Sequence, residues 1–315
     1  MKKVLSLLIC AVMLFSVCSA EVFVDMPDNW ATEALTNAVN NGLIGGSNGY
    51  IRPDDPMTRA EMATIMVRAF GATKEADISA FTDVNQSDWF YSSMAKAVAM
   101  GAFNGSDGKL NPQNNITREE TFAVLARMFS LNYDKEIDEH FKRAKSADEV
   151  LSVFSDANLV ADWAKDLVAA VVSSGYVGGS NGMLNPKNNI KRSEFAAVMN
   201  RMVATYVDDA GTYSEFPAGS VVIRGEGVTL ENAKITGDLI IGEGAVDGAI
   251  LKNTDVTGRF AIRTGTKTEI HKGTFGSIRL IRDGVIASDF GSKREVFYVE
   301  KGTKFIQNAQ IDMGE

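Results

Sequence analysis

Cysteine is almost absent from this chain of 315 residues. The two that occur, Cys10 and Cys18, lie within the first twenty residues, where two lysines precede an apolar run that ends in small residues near Ala20. This arrangement is typical of a secretion signal, so we expect residues 1–20 to be removed. A mature chain without cysteine excludes disulfides, thiol nucleophiles and zinc–thiolate sites, and it must be stabilised by packing alone.

Positive charge is also scarce, since the formal net charge is −8. Residues 21–215 contain 27 acidic and 17 basic residues, whereas residues 216–315 contain 13 of each. Without a basic stripe, the chain is a poor partner for nucleic acid. An anionic ligand would have to be held by individually placed cations rather than by a general field. After residue 20 no apolar run is long enough to span a membrane.

What the chain has is one motif that occurs three times. A Gly-rich loop at 42–53, 101–112 and 175–186 follows an amphipathic segment and precedes a second one. A tryptophan before each loop and an arginine after it recur at matched spacing: Trp30 with Arg59, Trp89 with Arg118, and Trp163 with Arg192. Such recurrence indicates one helix–loop–helix unit used three times.

Capping signals predict that each arginine opens the second helix of its unit. Thr58 with Glu61 and Thr117 with Glu120 form capping boxes, whereas Lys191 cannot accept an amide hydrogen bond and predicts a weaker start. The predicted division is a signal peptide at 1–20, repeats at 21–72, 73–133 and 151–206, a charged and mostly solvated helical insert at 134–150, a linker at 207–220, and a β domain at 221–315.

The β domain carries its own repeat. Residues 230–241 align with 251–262 at an offset of 21, which matches Asn232 with Asn253. Short strands with Asn or Gly at corners and a period near 21 residues indicate a β-solenoid, although residues 266–300 fit less cleanly. The predicted fold class is therefore multidomain α + β, a helical module followed by a small all-β, solenoid-like domain.

The sequence features that would indicate an enzyme are weak. Residues 45–49 and 178–182 spell Gly-x-Ser-x-Gly, but helices precede them and Pro-bearing loops follow, so we interpret them as turns. A calcium loop near 106–108 fails the EF-hand spacing. Two alternatives stay open for the β domain. It could act on a polysaccharide through carboxylates, for which the candidates are Asp238, Glu243, Asp247 and Asp255. It could instead self-associate or bind a surface partner through exposed strand edges. We expect no enzyme, metal or cofactor.

Three Phe-x-Asp triplets complete the repeats: Phe23-Val-Asp25, Phe81-Thr-Asp83 and Phe154-Ser-Asp156. With the tryptophan, the Gly-rich loop and the Thr-Arg-Ala-Glu type sequence, residues 22–205 resemble S-layer homology (SLH) domains. The resemblance implies a pseudo-threefold helical module with grooves between repeats. It also implies noncovalent attachment to an acidic, often pyruvylated secondary cell-wall polysaccharide, and a secreted protein of the cell wall and surface.

The resemblance and the chemistry together give a set of candidate glycan-binding residues. Arg59, Arg118 and Arg192 are expected to pair with a sugar carboxylate, helped by helix amides and the helix dipole. Gly46, Gly105 and Gly179 would let a sugar approach the backbone. Trp30, Trp89 and Trp163 are expected as groove walls, with burial in the core as the alternative. Asp25, Asp83 and Asp156 would accept sugar hydroxyls, with turn capping as the alternative.

Overall fold

The computed structural model describes residues 23–131, 146–264, 267–281, 284–288, 297–299 and 305–308. The first part is helical, and parallel strands follow from residue 205. Its helices are α1 (Thr32–Asn40), α2 (Arg59–Phe70), α3 (Tyr91–Ala99), α4 (Arg118–Met128), α5 (Ala147–Leu151), α6 (Lys165–Ser173) and α7 (Arg192–Met202). Among these described residues, no helix is both long and apolar enough to cross a bilayer.

The second helix of each repeat begins where its arginine stands. For α2, Thr58 Oγ1 accepts the Glu61 amide at 3.2 Å while the Thr58 amide donates to Glu61 at 2.8 Å. Thr117 and Glu120 repeat this box at α4. At α7 only half of it can form, since Lys191 donates its amide to Glu194 but uses its ammonium on Asp54.

Three backbone hydrogen bonds join the repeats at the centre of the module. The amide of Met57 donates to Ile190 at 2.9 Å, that of Ile190 to Ile116 at 3.1 Å, and that of Ile116 back to Met57 at 2.9 Å. All three side chains are fully buried. The helices close the same circle, since α2 packs on α3, α4 on α6 and α7 on α1. The predicted pseudo-threefold helical arrangement is therefore confirmed.

The charged insert lies largely outside the described residues. Of 134–150, the structure describes 146–150, where Ser146 caps the short helix α5 with Glu149. The interpretation of 134–145 as solvated helix stays a prediction.

The C-terminal part is a parallel β-solenoid of about four turns. Its strands are β1 (Thr205–Val207), β2 (Gly211–Tyr213), β3 (Val221–Ile223), β4 (Val228–Glu231), β5 (Lys234–Ile235), β6 (Leu239–Ile241), β7 (Ile250–Ile262), β8 (Lys267–Leu280), β9 (Gly284–Ser288), β10 (Phe297–Val299) and β11 (Phe305–Asn308). Leu230 pairs with Leu251 and Leu239 with Phe260, which is the predicted offset of 21. At one corner Asn232 and Asn253 have φ values of 56° and 50°. The side-chain amide of Asn253 donates a hydrogen bond to Asn232 Oδ1 at 2.8 Å.

The segment predicted as a linker, 207–220, contains strand. β1 pairs in parallel with β3, and β2 pairs in parallel with β4. These residues therefore form the first turn of the solenoid, and the chain passes from α7 into β1 with two residues between them.

Candidate functional site

The three Gly-rich loops are tight hairpins. Ser47 and Tyr50 exchange both backbone hydrogen bonds, at 2.9 and 3.1 Å, around Asn48 and Gly49, whose φ values are 54° and 79°. Two central residues with φ > 0 are the requirement of a type I′ turn. Residues 106–109 and 180–183 repeat the arrangement. The Gly-x-Ser-x-Gly sequences are thus turn tips rather than nucleophile elbows.

Each Phe-x-Asp triplet fastens its loop. The Phe23 ring lies directly beneath Gly46, so that a side chain at 46 would overlap it. The Val24 amide donates to Gly49 at 2.9 Å. The Asp25 carboxylate accepts the amides of Ile51 at 2.7 Å and Arg52 at 2.8 Å. The same contacts recur with Phe81, Gly105 and Asp83, and with Phe154, Gly179 and Asp156.

These contacts give the candidate glycines and aspartates a role inside the fold. Both carboxylate oxygens of Asp25, Asp83 and Asp156 are engaged by backbone amides, which is the turn-capping alternative. Burial acts to raise the pKa of Asp25, but hydrogen bonds from Ile51 and Arg52 outweigh it, and the pKa lies below its ordinary value. Their use by a sugar stays a prediction.

The tryptophans are not core residues. Trp30, Trp89 and Trp163 are 65, 68 and 57% exposed, which excludes the burial alternative for all three. Trp89 and Trp163 each line a cavity formed with the Gly-rich loop of the preceding repeat. Trp89 and Trp163 therefore line grooves, whereas Trp30 lines neither cavity; contact of any of the three with a sugar stays a prediction.

The three helix-opening arginines reach across to the next repeat. Arg59 donates through Nε to the Leu110 carbonyl at 3.0 Å and through Nη1 to Glu120 at 3.4 Å. Arg118 makes the same pair of contacts with Leu184 and Glu194, and Arg192 makes them with Ile51 and Glu61. Each arginine thus lies at a junction between two repeats, held through the Nε and Nη1 atoms of its guanidinium.

The first-turn amides, expected to help bind an anion, are already used. The amide of Arg59 donates to Asn114 and that of Ala60 to Pro112, at 2.9 and 2.8 Å. Arg118 and Glu119 donate likewise to Asn188 and Pro186, and Arg192 and Ser193 to Asp55 and Pro53. Because the neighbouring loop consumes these donors, they are not available to a ligand. The expectation that helix amides take part is corrected here.

Two cavities between the repeats each draw on all three of them. Groove A, about 650 Å³, has the loop of repeat 1 as its floor, Arg192 from repeat 3 and Trp89 from repeat 2. Groove B, about 540 Å³, has the loop of repeat 2, Arg59 from repeat 1 and Trp163 from repeat 3. Both volumes lie within the range of about 300–1,000 Å³ that is usual for small-molecule sites.

Both grooves are also lined by residues that the sequence analysis did not select, and one of the two positions differs between them. Groove A is lined by Tyr50 and Arg68, where groove B has Lys109 and Arg127. Arg68, Arg127 and Arg201 stand nine residues after the three helix-opening arginines. That recurrence was the available signal for this second set.

The arginines also differ in how far they are satisfied. Arg192 is 8% exposed and donates a third hydrogen bond, from Nη2 to the Gly45 carbonyl at 2.9 Å. Within the described part of the chain, the Nη2 groups of Arg59 and Arg118 have no hydrogen-bond partner, although each guanidinium lies over a phenylalanine ring. Burial, followed by the like charge of Arg59, lowers the pKa of Arg127. Groove B therefore holds two adjacent cations, with Glu120 as the lining carboxylate.

The solenoid carboxylates considered for catalysis have partners within the protein. Asp238 pairs with Arg259, and Glu243 with Arg263. Asp247 accepts the Gly227 amide and Asp255 accepts Thr274. Each therefore has a structural contact in place.

Comparison with known proteins agrees with this geometry. Residues 22–63, 80–122 and 153–196 match the S-layer homology domain. The Surface-layer 125 kDa protein of Lysinibacillus sphaericus is 33% identical over 55% of this chain and 14% of its own length. The Cellulosome-anchoring protein of Acetivibrio thermocellus is 28% identical over 50% of this chain and 34% of its own length. An Amylopullulanase of Thermoanaerobacterium thermosulfurigenes is 28% identical over 57% of this chain and 9% of its own length. The chain thus spans between 9 and 34% of the length of these three relatives.

The S-layer homology repeats and the similarity to surface-layer and cell-surface proteins indicate a secreted, cell-wall-associated protein. The three matched segments are S-layer homology repeats.

Gly46→Ala should lower the free energy of unfolding by about 1–3 kcal/mol, the usual range for overpacking, because its methyl group would overlap the Phe23 ring. Gly45→Ala is the matched control, since no atom lies within 4 Å of the added methyl group. Chemical denaturation of both variants measures the difference. Equal stability of the two variants would show that packing of the Phe23 ring does not require glycine at position 46.

Asp25→Asn should destabilise the chain in a pH-dependent way. A carboxylate whose pKa is lowered by folding stabilises above its unfolded pKa, about 3.9, and loses that contribution as the pH falls through the folded value. The difference in thermal midpoint between parent and variant should thus be full near neutral pH and shrink below about pH 4. The exposed Asp28→Asn is the control. A difference that persists undiminished in acid would contradict the assignment.

Proposed function

We propose that the inter-repeat grooves anchor the protein by binding an acidic secondary cell-wall polysaccharide, with a carboxylate such as a pyruvate ketal as the recognised group. The observation that carries the proposal is the pair Arg59 and Arg127 in groove B, beside the exposed Trp163. Two partly buried guanidinium groups repel each other, and an anion between them would remove that cost. An indole face beside them suits the apolar face of a sugar ring.

The chemistry favours a carboxylate in particular. The Nε and Nη1 of Arg59 are directed at Leu110 and Glu120, which leaves Nη2 with its donors available at the groove. Charge-assisted hydrogen bonds of this kind are short and directional. Lys109 adds a further positive charge to the lining. With three cations and one carboxylate, groove B can neutralise an anion although the repeat region as a whole is acidic.

Repetition of the groove strengthens attachment. A polymer that occupies one groove presents its next units to the neighbouring groove at high effective concentration, so weak single contacts combine. Grooves A and B lie on the same ring of repeats and share the family's helix-opening arginine. Groove B should contribute more than groove A, because Arg192 in groove A already donates to three protein acceptors.

Arg59→Ala combined with Arg118→Ala should reduce binding to purified native walls far more than either change alone. Each lost charge-assisted contact removes about 1.5–3 kcal/mol, or about tenfold or more in affinity. Co-sedimentation of the full chain with walls, before and after chemical removal of the nonpeptidoglycan polymer, measures this. Arg259→Ala, which removes an arginine paired within the solenoid, is the control. Parental binding by the double variant would refute the arginine-groove proposal.

Arg127→Ala should weaken wall binding several-fold and reduce its salt dependence, because it removes one of two adjacent cations. The matched control is Arg201→Ala, the equivalent residue of repeat 3, which is exposed and donates to the Tyr176 carbonyl. Binding isotherms at two salt concentrations, on native walls and on walls whose carboxylates have been blocked, separate charge recognition from general adhesion. Equal loss in both variants would argue against groove B as the principal acidic-glycan site.

A further inference from the structure

The solenoid packs against the helical module through one face of its strands. Val222 of β3, Ile240 of β6 and Ala261 of β7 lie in register and belong to the same buried cluster as the helix core. We call this stripe the docking face. Strands β3 and β6 are buried at every residue, as expected for a strand covered on both sides. The solenoid is therefore fixed to the repeats rather than tethered to them.

An arginine at the edge of the docking face holds the ends of both helices of repeat 1. Arg224 donates through Nη1 to the Arg68 carbonyl and through Nη2 to the Asn41 carbonyl, both at 2.9 Å. Its guanidinium is oriented by the Asp208 carboxylate and lies over the Tyr206 ring at 4.6 Å. Carbonyls at helix C-termini lack partners within the helix and carry partial negative charge, so a cation there is favourable.

A second arginine repeats this on repeat 2. Arg263 donates through Nη1 to the Met128 carbonyl at 3.1 Å and through Nη2 to the Met100 carbonyl at 2.9 Å, and Glu243 orients it at 3.0 Å. Arg263 is 2% exposed. Met100 and Asn41 are equivalent residues of their repeats. Two turns of the solenoid thus each present an arginine to the helix ends of one of two successive repeats, with the second contact shifted by one residue, since Arg127 rather than Met128 is equivalent to Arg68.

The carbonyls that these arginines hold adjoin the grooves. Asn41 is followed by the segment Leu43–Gly46, which lines groove A, and the Arg68 side chain lines the same groove while donating to the Leu43 carbonyl at 3.1 Å. Met100 is followed by Ala102–Gly105 in the lining of groove B, and Met128 follows Arg127. Each solenoid arginine therefore fixes both chain segments that form one wall of one groove.

We infer that Arg224 and Arg263 are positioning residues for groove A and groove B, and that the docked solenoid sets the geometry of the glycan sites. This inference rests on the proposed function of the grooves. Because coupling between two contacts is reciprocal, glycan binding should in turn stabilise the docked solenoid.

Single Arg224→Lys and Arg263→Lys variants of the full chain test the assignment, because an ammonium cannot bridge two carbonyls as a guanidinium does. In hydrogen exchange, Arg224→Lys should speed exchange of the Leu43 and Ile44 amides, which donate to Ala38, by roughly tenfold, while the amides of 102–103, which donate to Ala97, keep the parental rate. Arg263→Lys should do the reverse. The central amides of Met57, Ile116 and Ile190 should stay as protected as in the parent, which shows that the fold is intact. Arg259→Lys is the control.

Wall binding provides the second readout. Arg224→Ala with Arg263→Ala should weaken co-sedimentation several-fold, and the lysine variants should recover part of it. Unchanged exchange in both loops, or the same response of both loops to either single variant, would overturn the inference. So would parental wall affinity in a double variant whose loops exchange faster. If the parent itself did not bind walls, the proposed function would fail, and the loop-specific exchange would still decide whether the solenoid positions the grooves.

Discussion

The circle of backbone hydrogen bonds through Met57, Ile116 and Ile190 is the constraint on which the rest of the structure depends. Each of these segments donates to one neighbour and accepts from the other, so a repeat completes its polar contacts only in the presence of both others. The helix that follows each segment then starts beside the loop of the next repeat. That placement puts every helix-opening arginine at a junction, which is why the grooves lie between repeats.

The residues that recur most regularly are those that build the module. The Phe-x-Asp triplets and the glycine above each ring fasten the hairpins, and the helix-opening arginines knit one repeat to the next. The residues that distinguish the grooves are less regular, as Tyr50 and Lys109 illustrate. A shared framework with variable lining allows one ring to present grooves of different charge.

Much of the fold could be predicted from the sequence because its signals are local. Capping boxes and glycines placed the second helix of each repeat, and the 21-residue offset gave the register of β4, β6 and β7. The sequence did not decide whether the tryptophans are exposed, because a tryptophan can serve equally as a core residue or as a groove wall. The use of helix amides was wrongly predicted, because the acceptors come from another repeat and no sequence period reports contacts across a junction. The docking of the solenoid was invisible for the same reason: Arg224 and Arg263 meet their carbonyls only through space.

The closure of the ring between the first and third repeats has a consequence for how the chain acquires its structure. Arg192 meets the Ile51 carbonyl across 141 positions of sequence, and Asn37 meets Asn200 across 163. Contacts of such separation form late, because a long loop must close before they stabilise anything. During synthesis or passage across a membrane, the surface of the first repeat that contacts the third therefore stays uncovered until the third repeat has emerged. Folding of the ring is an event of the whole helical region, completed at its C-terminal end, immediately before the solenoid begins.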